Sequence, residues 1–191
     1  MARTPLILVQ SCFADRVGGR QQAARETWLH RWRHWVQAYF VLGVSADIGI
    51  QGDELLLDAR DDYYGTPFKT QAALKWVLRN DYRRVFHCAV VTWVNVPALL
   101  AADCWRSEYI GHRCAESDGG HASGGNGYWI GGNAMAIVAQ ADPVPTYEDL
   151  WVGTVLRQSG ITCEHDPDYG NGNITTHTFT AEGMRKRGNE V

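Results

Sequence analysis

Four apolar residues after Pro5, Leu6 to Val9, predict a short buried strand over Leu6–Gln10. The period then lengthens. Ala24, Trp28, Trp32 and Trp35 recur at steps of three and four, which predicts a helix over about Arg20–Val36, with Arg25, Arg31 and Arg33 largely off its apolar face. Strands are predicted at Tyr39–Gly43, Glu54–Asp58 and Val85–Val91. Phe68–Leu78 reads as an amphipathic helix that buries Ala72, Ala73, Trp76 and Val77, and Val96–Ala102 as another helix. A glycine-rich stretch from His121 to Gly132 precedes a helix over Asn133–Gln140. Tyr147-Glu148-Asp149 leads into a helix that ends near Ser159-Gly160, where glycine suits the cap. A short strand is predicted over Ile161–Glu164 and a loop-rich tail from about Asp166. Strands alternating with helices predict one α/β domain over 1–191, a layered sheet whose ligands lie beyond the carboxyl ends of its strands.

Composition narrows the function classes. The 191 residues are 45% hydrophobic and 20% charged, as in an ordered globular domain. The net charge of −3 and the lack of a basic stripe argue against duplex DNA as a partner. A nucleotide held by a few arginines remains compatible. Eight tryptophans supply both core and stacking surface. The five cysteines form no CxxC pair; Cys104 and Cys114 could bridge, but a reduced, cytoplasmic chain is the simpler expectation. No apolar run is long enough to span a bilayer. The alternative location is a lumenal domain separated from its anchor.

Several residues carry candidate chemistry. Asp61-Asp62 after the third strand reads either as a solvated pair or as acids that accept ribose hydroxyls or orient a nearby cation. Asp149 reads either as a helix cap or as a general base. Gly124 to Gly127 lack the Gly-Lys-Ser/Thr of a phosphate loop. Tyr128 and Trp129 follow at once, so close approach and aromatic faces for a sugar come together. His112, Cys114, Glu116, Asp118 and His121 group potential zinc ligands at a spacing that fits no zinc module, and a polar loop is the plainer reading. His177 stands alone in the tail.

Taken in order, these segments resemble the family 31 glycosyltransferases, which include Fringe and the β-1,3-galactosyltransferases. The matching segments are Arg20 to Trp28 (containing Arg25-Glu26-Thr27-Trp28), Phe40-Val41-Leu42-Gly43, and Asp61-Asp62-Tyr63-Tyr64 with Lys69-Thr70 and Trp76. Gly124-Gly125-Asn126-Gly127-Tyr128-Trp129 and Glu148-Asp149-Leu150-Trp151-Val152-Gly153 complete the set. The resemblance implies a GT-A fold, a Rossmann-like, mostly parallel sheet between helices. It implies inverting transfer of a sugar from a nucleotide-diphosphate donor, usually a UDP-sugar, to a hydroxyl on a glycan, protein or other acceptor; a modified nucleobase is one such acceptor. Residue by residue, Asp149 would be the catalytic base. Arg25, Asp61 and Lys69 would lie by the donor. Gly125, Gly127, Tyr128, Trp129 and Glu148 would line the acceptor side. His177 would complete a manganese site.

The family's three metal-binding acids fall at Ala89, Val90 and Val91, within an otherwise kept frame from Phe86 to Asn95. Mn²⁺ neutralises charge on a leaving diphosphate and needs oxygen ligands, which these side chains lack. Three accounts follow. The acids were lost from a working enzyme, by drift or engineering. Alternatively, Arg25, Lys69 or another cation replaces the metal. As a third account, the chain is a binder of sugars or nucleotides without catalysis.

Overall fold

The computed structural model describes residues 4–114 and 120–190. Among them, one sheet of eight strands forms the middle layer, ordered β11-β7-β10-β5-β1-β2-β4-β3. These strands are β1 (Leu6–Gln10), β2 (Gln37–Val44), β3 (Gly49–Gln51), β4 (Glu54–Asp58), β5 (Arg84–Ala89), β7 (Tyr109–Gly111), β10 (Tyr128–Gly131) and β11 (Glu164–His165). β1 runs parallel to β2 and β5, and β2 parallel to β4. β3 and β10 run antiparallel to their neighbours. After β1 the chain builds outward through β2 and β4, then returns to place β5 on the other side of β1. The strand order therefore reverses between β1 and β5, and the region beyond their carboxyl ends at Gln10 and Ala89 is where such sheets place their ligand crevice.

Alternation on β1 divides the core. Leu6 and Leu8 face α4 (Thr66–Arg79), α6 (Gly132–Gln140) and α7 (Glu148–Gln158) through Leu74, Val77, Met135 and Val152. Ile7 and Val9 face the other layer: α2 (Arg20–Ala24), α5 (Val96–Ala101) and α8 (Ala181–Asn189), with Trp28, Leu99 and Met184. A short α1 (Phe13–Val17) follows β1.

The predicted helix 20–36 is shorter and irregular. A π-turn occupies Arg25–Leu29, and a last turn, α3 (His30–Trp32), ends it. Thr27 bonds back to the Ala23 carbonyl through Oγ1 at 2.7 Å, a contact that competes with the regular ladder. Trp28 is buried, whereas Trp35 lies beyond the helix and is exposed. The helix over 148–158 ends in a Schellman turn. Gly160, at φ +80°, donates to the Arg157 carbonyl and Ile161 to that of Leu156. Those bonds delay the last strand, which occupies Glu164–His165 rather than Ile161–Glu164.

Two further expectations are corrected. β5 stops at Ala89; Val90 and Val91 turn, and β6 (Thr92–Val94) begins. The tail is structured. Its β12 (Thr175–His177) pairs antiparallel with β6, His177 opposite Thr92, and α8 presses Gly188 against Thr27. A last pair, β8 (Arg113–Cys114) and β9 (His121–Ala122), forms a separate ribbon. No helix among the described residues is long and apolar enough to cross a membrane, and Cys12, Cys88, Cys104 and Cys163 are free thiols.

Candidate active site

Asp61 holds one wall of the crevice together. Its Oδ1 accepts from the Gly43 amide at 2.8 Å and from Lys69 Nζ at 2.9 Å, and its Oδ2 from the Phe13 amide at 2.7 Å. The ends of β1 and β2 and the first turns of α4 thus meet on one carboxylate. Lys69 is only 1% exposed and also donates to the Ser11 carbonyl, so its charge is fully paired. Ser11 Oγ accepts from Gln21 Nε2 at 2.9 Å, and Gln21 Oε1 accepts from Arg25 at 3.2 Å. Arg25, Asp61 and Lys69 therefore share one network. Ser11 and Gln21, which join them, carry no sequence signal of their own. The Arg25 charge is spent on Asp53, at 2.7 and 2.9 Å. Asp62 instead caps the turn at Tyr63–Gly65 and pairs with Arg60.

The other wall gathers three distant stretches. The Ala89 amide donates to the Gly124 carbonyl at 3.1 Å, and the Val90 amide to Gln10 at 2.9 Å. Gly124 in turn donates to Asp149 Oδ2 at 3.0 Å. Thr92 Oγ1 donates to the Gly125 carbonyl at 2.8 Å, and Thr178 binds the Val91 carbonyl through its amide and its hydroxyl, at 2.9 and 2.6 Å. A Cβ on Gly125 would lie 3.0 Å from the His177 ring, so the two are packed closely there. The turn at 89–91, the glycine turn, Asp149 and His177 thus form one corner at the strand-order reversal. Asp149 keeps 26% of its side chain exposed, with His121 Nε2 at 3.9 Å. Its Oδ1 accepts from Leu150 in the first turn of α7, so the carboxylate serves the helix end and the crevice together. Each oxygen retains a free lone pair for a ligand.

Tyr128 and Trp129 do not face the crevice. As β10 residues beside β5 they are buried, Trp129 against Phe86 and Tyr128 against His87. Gly127, at φ +78°, makes this possible, because a Cβ there would lie 2.4 Å from Phe86 Cζ. Glu148 is also withdrawn: its Oε1 accepts from the Tyr128 hydroxyl at 2.5 Å beneath the turn. Burial pushes the Glu148 carboxyl up to about 8, and the neighbouring Asp149 charge adds to the shift. Burial likewise depresses the His87 imidazole to about 4. Neutral Glu148 and His87 are therefore the folded forms near pH 6–7, which leaves Asp149 without a second carboxylate charge at its side.

The exposed aromatic faces belong to other residues. Tyr63, Tyr64 and Tyr147 pack edge to face at 5.9 Å, with more than half of each residue open to solvent. Tyr147 lies two positions before Asp149. Partial burial raises the Tyr63 phenol, and the Asp149 charge is close enough to add to the rise. Phe179, at φ +60°, stacks on His177 with ring centroids 4.0 Å apart.

The donor set does not suit manganese. Ala89, Val90 and Val91 present no side-chain oxygen, and Val90 is buried in the core below. Among the described residues, no three acids, cysteines or histidines converge on a point a metal ion could occupy. Of the sequence-level zinc cluster, Glu116 and Asp118 lie outside the described residues, and the His112 ring packs on His165.

No family profile and no curated protein matches the chain by sequence. The similarity lies in the fold. A glycosyltransferase involved in glycosylating the major capsid of PBCV-1 superposes with a TM-score of 0.54 at 12% identity, covering 96% of this chain and 99% of that one. The galactosyltransferase LgtC, solved with donor and acceptor sugar analogues, gives a TM-score of 0.40 at 13% identity, covering 89% and 70%. A large, mostly parallel sheet between helix layers, closed by the β5–β6 turn over its carboxyl edge, gives this chain the GT-A type of glycosyltransferase fold.

Proposed function

We propose that this chain is an inverting glycosyltransferase by descent, with Asp149 as its base and its metal corner replaced by an apolar turn. The observation that carries the reading is the link from Ala89 through Gly124 to Asp149, 3.1 and 3.0 Å, at the strand-order reversal. The nucleotide of a UDP-sugar would lie against Ser11, Gly43, Asp61 and Lys69, and its diphosphate would point toward the 89–91 turn. Manganese would stabilise charge on that diphosphate if oxygen ligands stood there.

The acceptor hydroxyl would approach past Tyr63, Tyr64 and Tyr147, whose faces suit the apolar side of a sugar ring. Asp149 would take the hydroxyl proton as that oxygen attacks the anomeric carbon and the bond to the diphosphate breaks on the opposite side. Without a counter-charge at 89–91, the leaving group is poorly stabilised and turnover is slow.

Calorimetric titration of UDP with and without Mn²⁺ tests the reading. UDP should bind with an affinity that Mn²⁺ leaves unchanged; tightening by the metal would overturn the assignment of the turn. A second reading, a nucleotide-sugar binder without catalysis, is favoured by the same apolar turn. Asp149→Asn separates the two. Loss of residual UDP-sugar hydrolysis supports the enzyme, and no change supports the binder.

A further inference from the structure

At the opposite edge of the sheet, where β1 and β5 begin, lies a cavity of about 830 Å³. Pro5, Leu99, Leu100 and Ala102 form an apolar floor, and Arg84 and Trp105 form one side. Arg84 is more than nine-tenths buried, yet its Nε and Nη1 have no hydrogen-bond partner. Its guanidinium lies over the Trp105 ring, 5.1 Å from the centroid, and that ring is otherwise exposed. Glu108 and Arg84 both stand beside Gly131, where a Cβ would lie 2.6 Å from Glu108 Oε2 and 2.8 Å from Arg84 Nη2, and that Oε2 accepts from the Asn133 and Ala134 amides at 3.0 and 3.1 Å, at the start of α6. Asp81, Arg83 and Asp103 also line the cavity, so its walls carry both signs of charge.

A guanidinium cannot shed its proton, and burying one without a counter-charge is unfavourable. Two unfilled N–H donors, shut off from solvent beside the Trp105 ring at the wall of a cavity with an apolar floor, define a recognition pattern. The donors suit the two oxygens of a carboxylate or phosphate, and the floor suits a hydrocarbon or ring attached to it.

We infer that this cavity binds a small organic anion, a carboxylate or phosphate on an apolar body, with Arg84 as its anchor and Trp105 as a lid over the guanidinium. The site is separate from the crevice at Asp149 and independent of the sugar-transfer reading.

Titration calorimetry on the full chain tests it, with benzoate, phenyl phosphate, inorganic phosphate and benzyl alcohol as probes. At least one of benzoate and phenyl phosphate should bind ten-fold or more tightly than both benzyl alcohol, which lacks the charge, and inorganic phosphate, which lacks the apolar body. Whichever of the two binds better identifies the headgroup. Arg84→Met should abolish that preference while raising or preserving the melting temperature, because it removes a buried group with two unfilled N–H donors. Trp105→Ala should weaken the same probe several-fold, and UDP binding should be unaltered in both variants. Equal binding of the charged and neutral probes overturns the inference, as does an Arg84→Met chain that binds the anion as well as the parent. An Arg84→Met chain that melts markedly lower also overturns it, because Arg84 would then already be satisfied within the fold.

Discussion

The two walls of the crevice are built on different principles. On the Asp61 wall, charge is already matched: one carboxylate takes two amides and an ammonium, and every contact serves the fold as well as any ligand. The Asp149 wall is made of backbone. The Gly124 carbonyl accepts from the Ala89 amide, the Val91 carbonyl accepts from the Thr178 amide, and the side chains at 89–91 offer only methyl groups. Backbone bonds do not depend on side-chain identity. The side chains at 89–91 can therefore vary while this wall keeps its shape, whereas the first cannot lose Asp61 without losing structure.

That contrast can be broken most forcefully at Asp61. Asp61→Ala leaves the Lys69 ammonium buried and two amides unpaired. It should cost about 3–5 kcal/mol in urea unfolding, far more than Asp149→Ala, whose carboxylate is partly exposed. Equal losses would show that the walls do not differ in this way.

On the backbone-built wall, shape should matter more than charge. Gly127→Ala combines a left-handed backbone with a clash against Phe86, and about 2–4 kcal/mol of stability should go. Thermal melting would report it.

The buried carboxyl below that wall sets a pH dependence. Between 4.5, its ordinary value, and about 8, folded Glu148 keeps a proton that the unfolded chain releases, so stability falls as pH rises through that window. His87 acts in the other sense: below 6.5 the unfolded imidazole takes a proton that the buried one refuses down to about 4, so stability falls as pH drops. The two slopes oppose each other between 4.5 and 6.5, where the maximum should lie. Glu148→Gln should remove the alkaline decline, a gain of about 1–3 kcal/mol at pH 8 relative to the parent's own change from pH 5, and leave the acid decline intact. Urea titrations across pH would check this.

The smallest expected change is the most informative about function. Ala89→Asp with Val91→Asp should create Mn²⁺-dependent UDP binding, at least ten-fold or about 1.4 kcal/mol, measured by calorimetry. Val90 should be left alone, because it packs into the core and a carboxylate there would be buried.

Much of the architecture was legible in the sequence because it rests on local apolar patterning. Leu6–Gln10 and Glu54–Asp58 fall where their apolar runs place them, and α4 follows its three- and four-residue spacing. The tail was not legible. β12 is three polar residues held by long-range pairing with β6 and by the Thr175 bond to the Asn126 carbonyl, and α8 buries a single hydrophobic side chain, Met184. The same limit affected the aromatics. In Tyr128-Trp129 a glycine turn followed by rings suggested a sugar platform, but the pairing of β10 with β5 turned both rings inward. The exposed faces proved to be Tyr63, Tyr64 and Tyr147, brought together from two separate loops.

By itself, then, the sequence determined the succession of strands and helices and the purely apolar side chains at 89–91, since periodicity and side-chain chemistry are local properties. Only the tertiary structure decided that Ala89, Gly124, Asp149 and His177 share a corner, that Glu148 is withdrawn beneath it, and that Arg84 stands unpaired at the far edge. Those outcomes depend on which strands pair across long separations and on what each pairing excludes from water, and no local pattern encodes either.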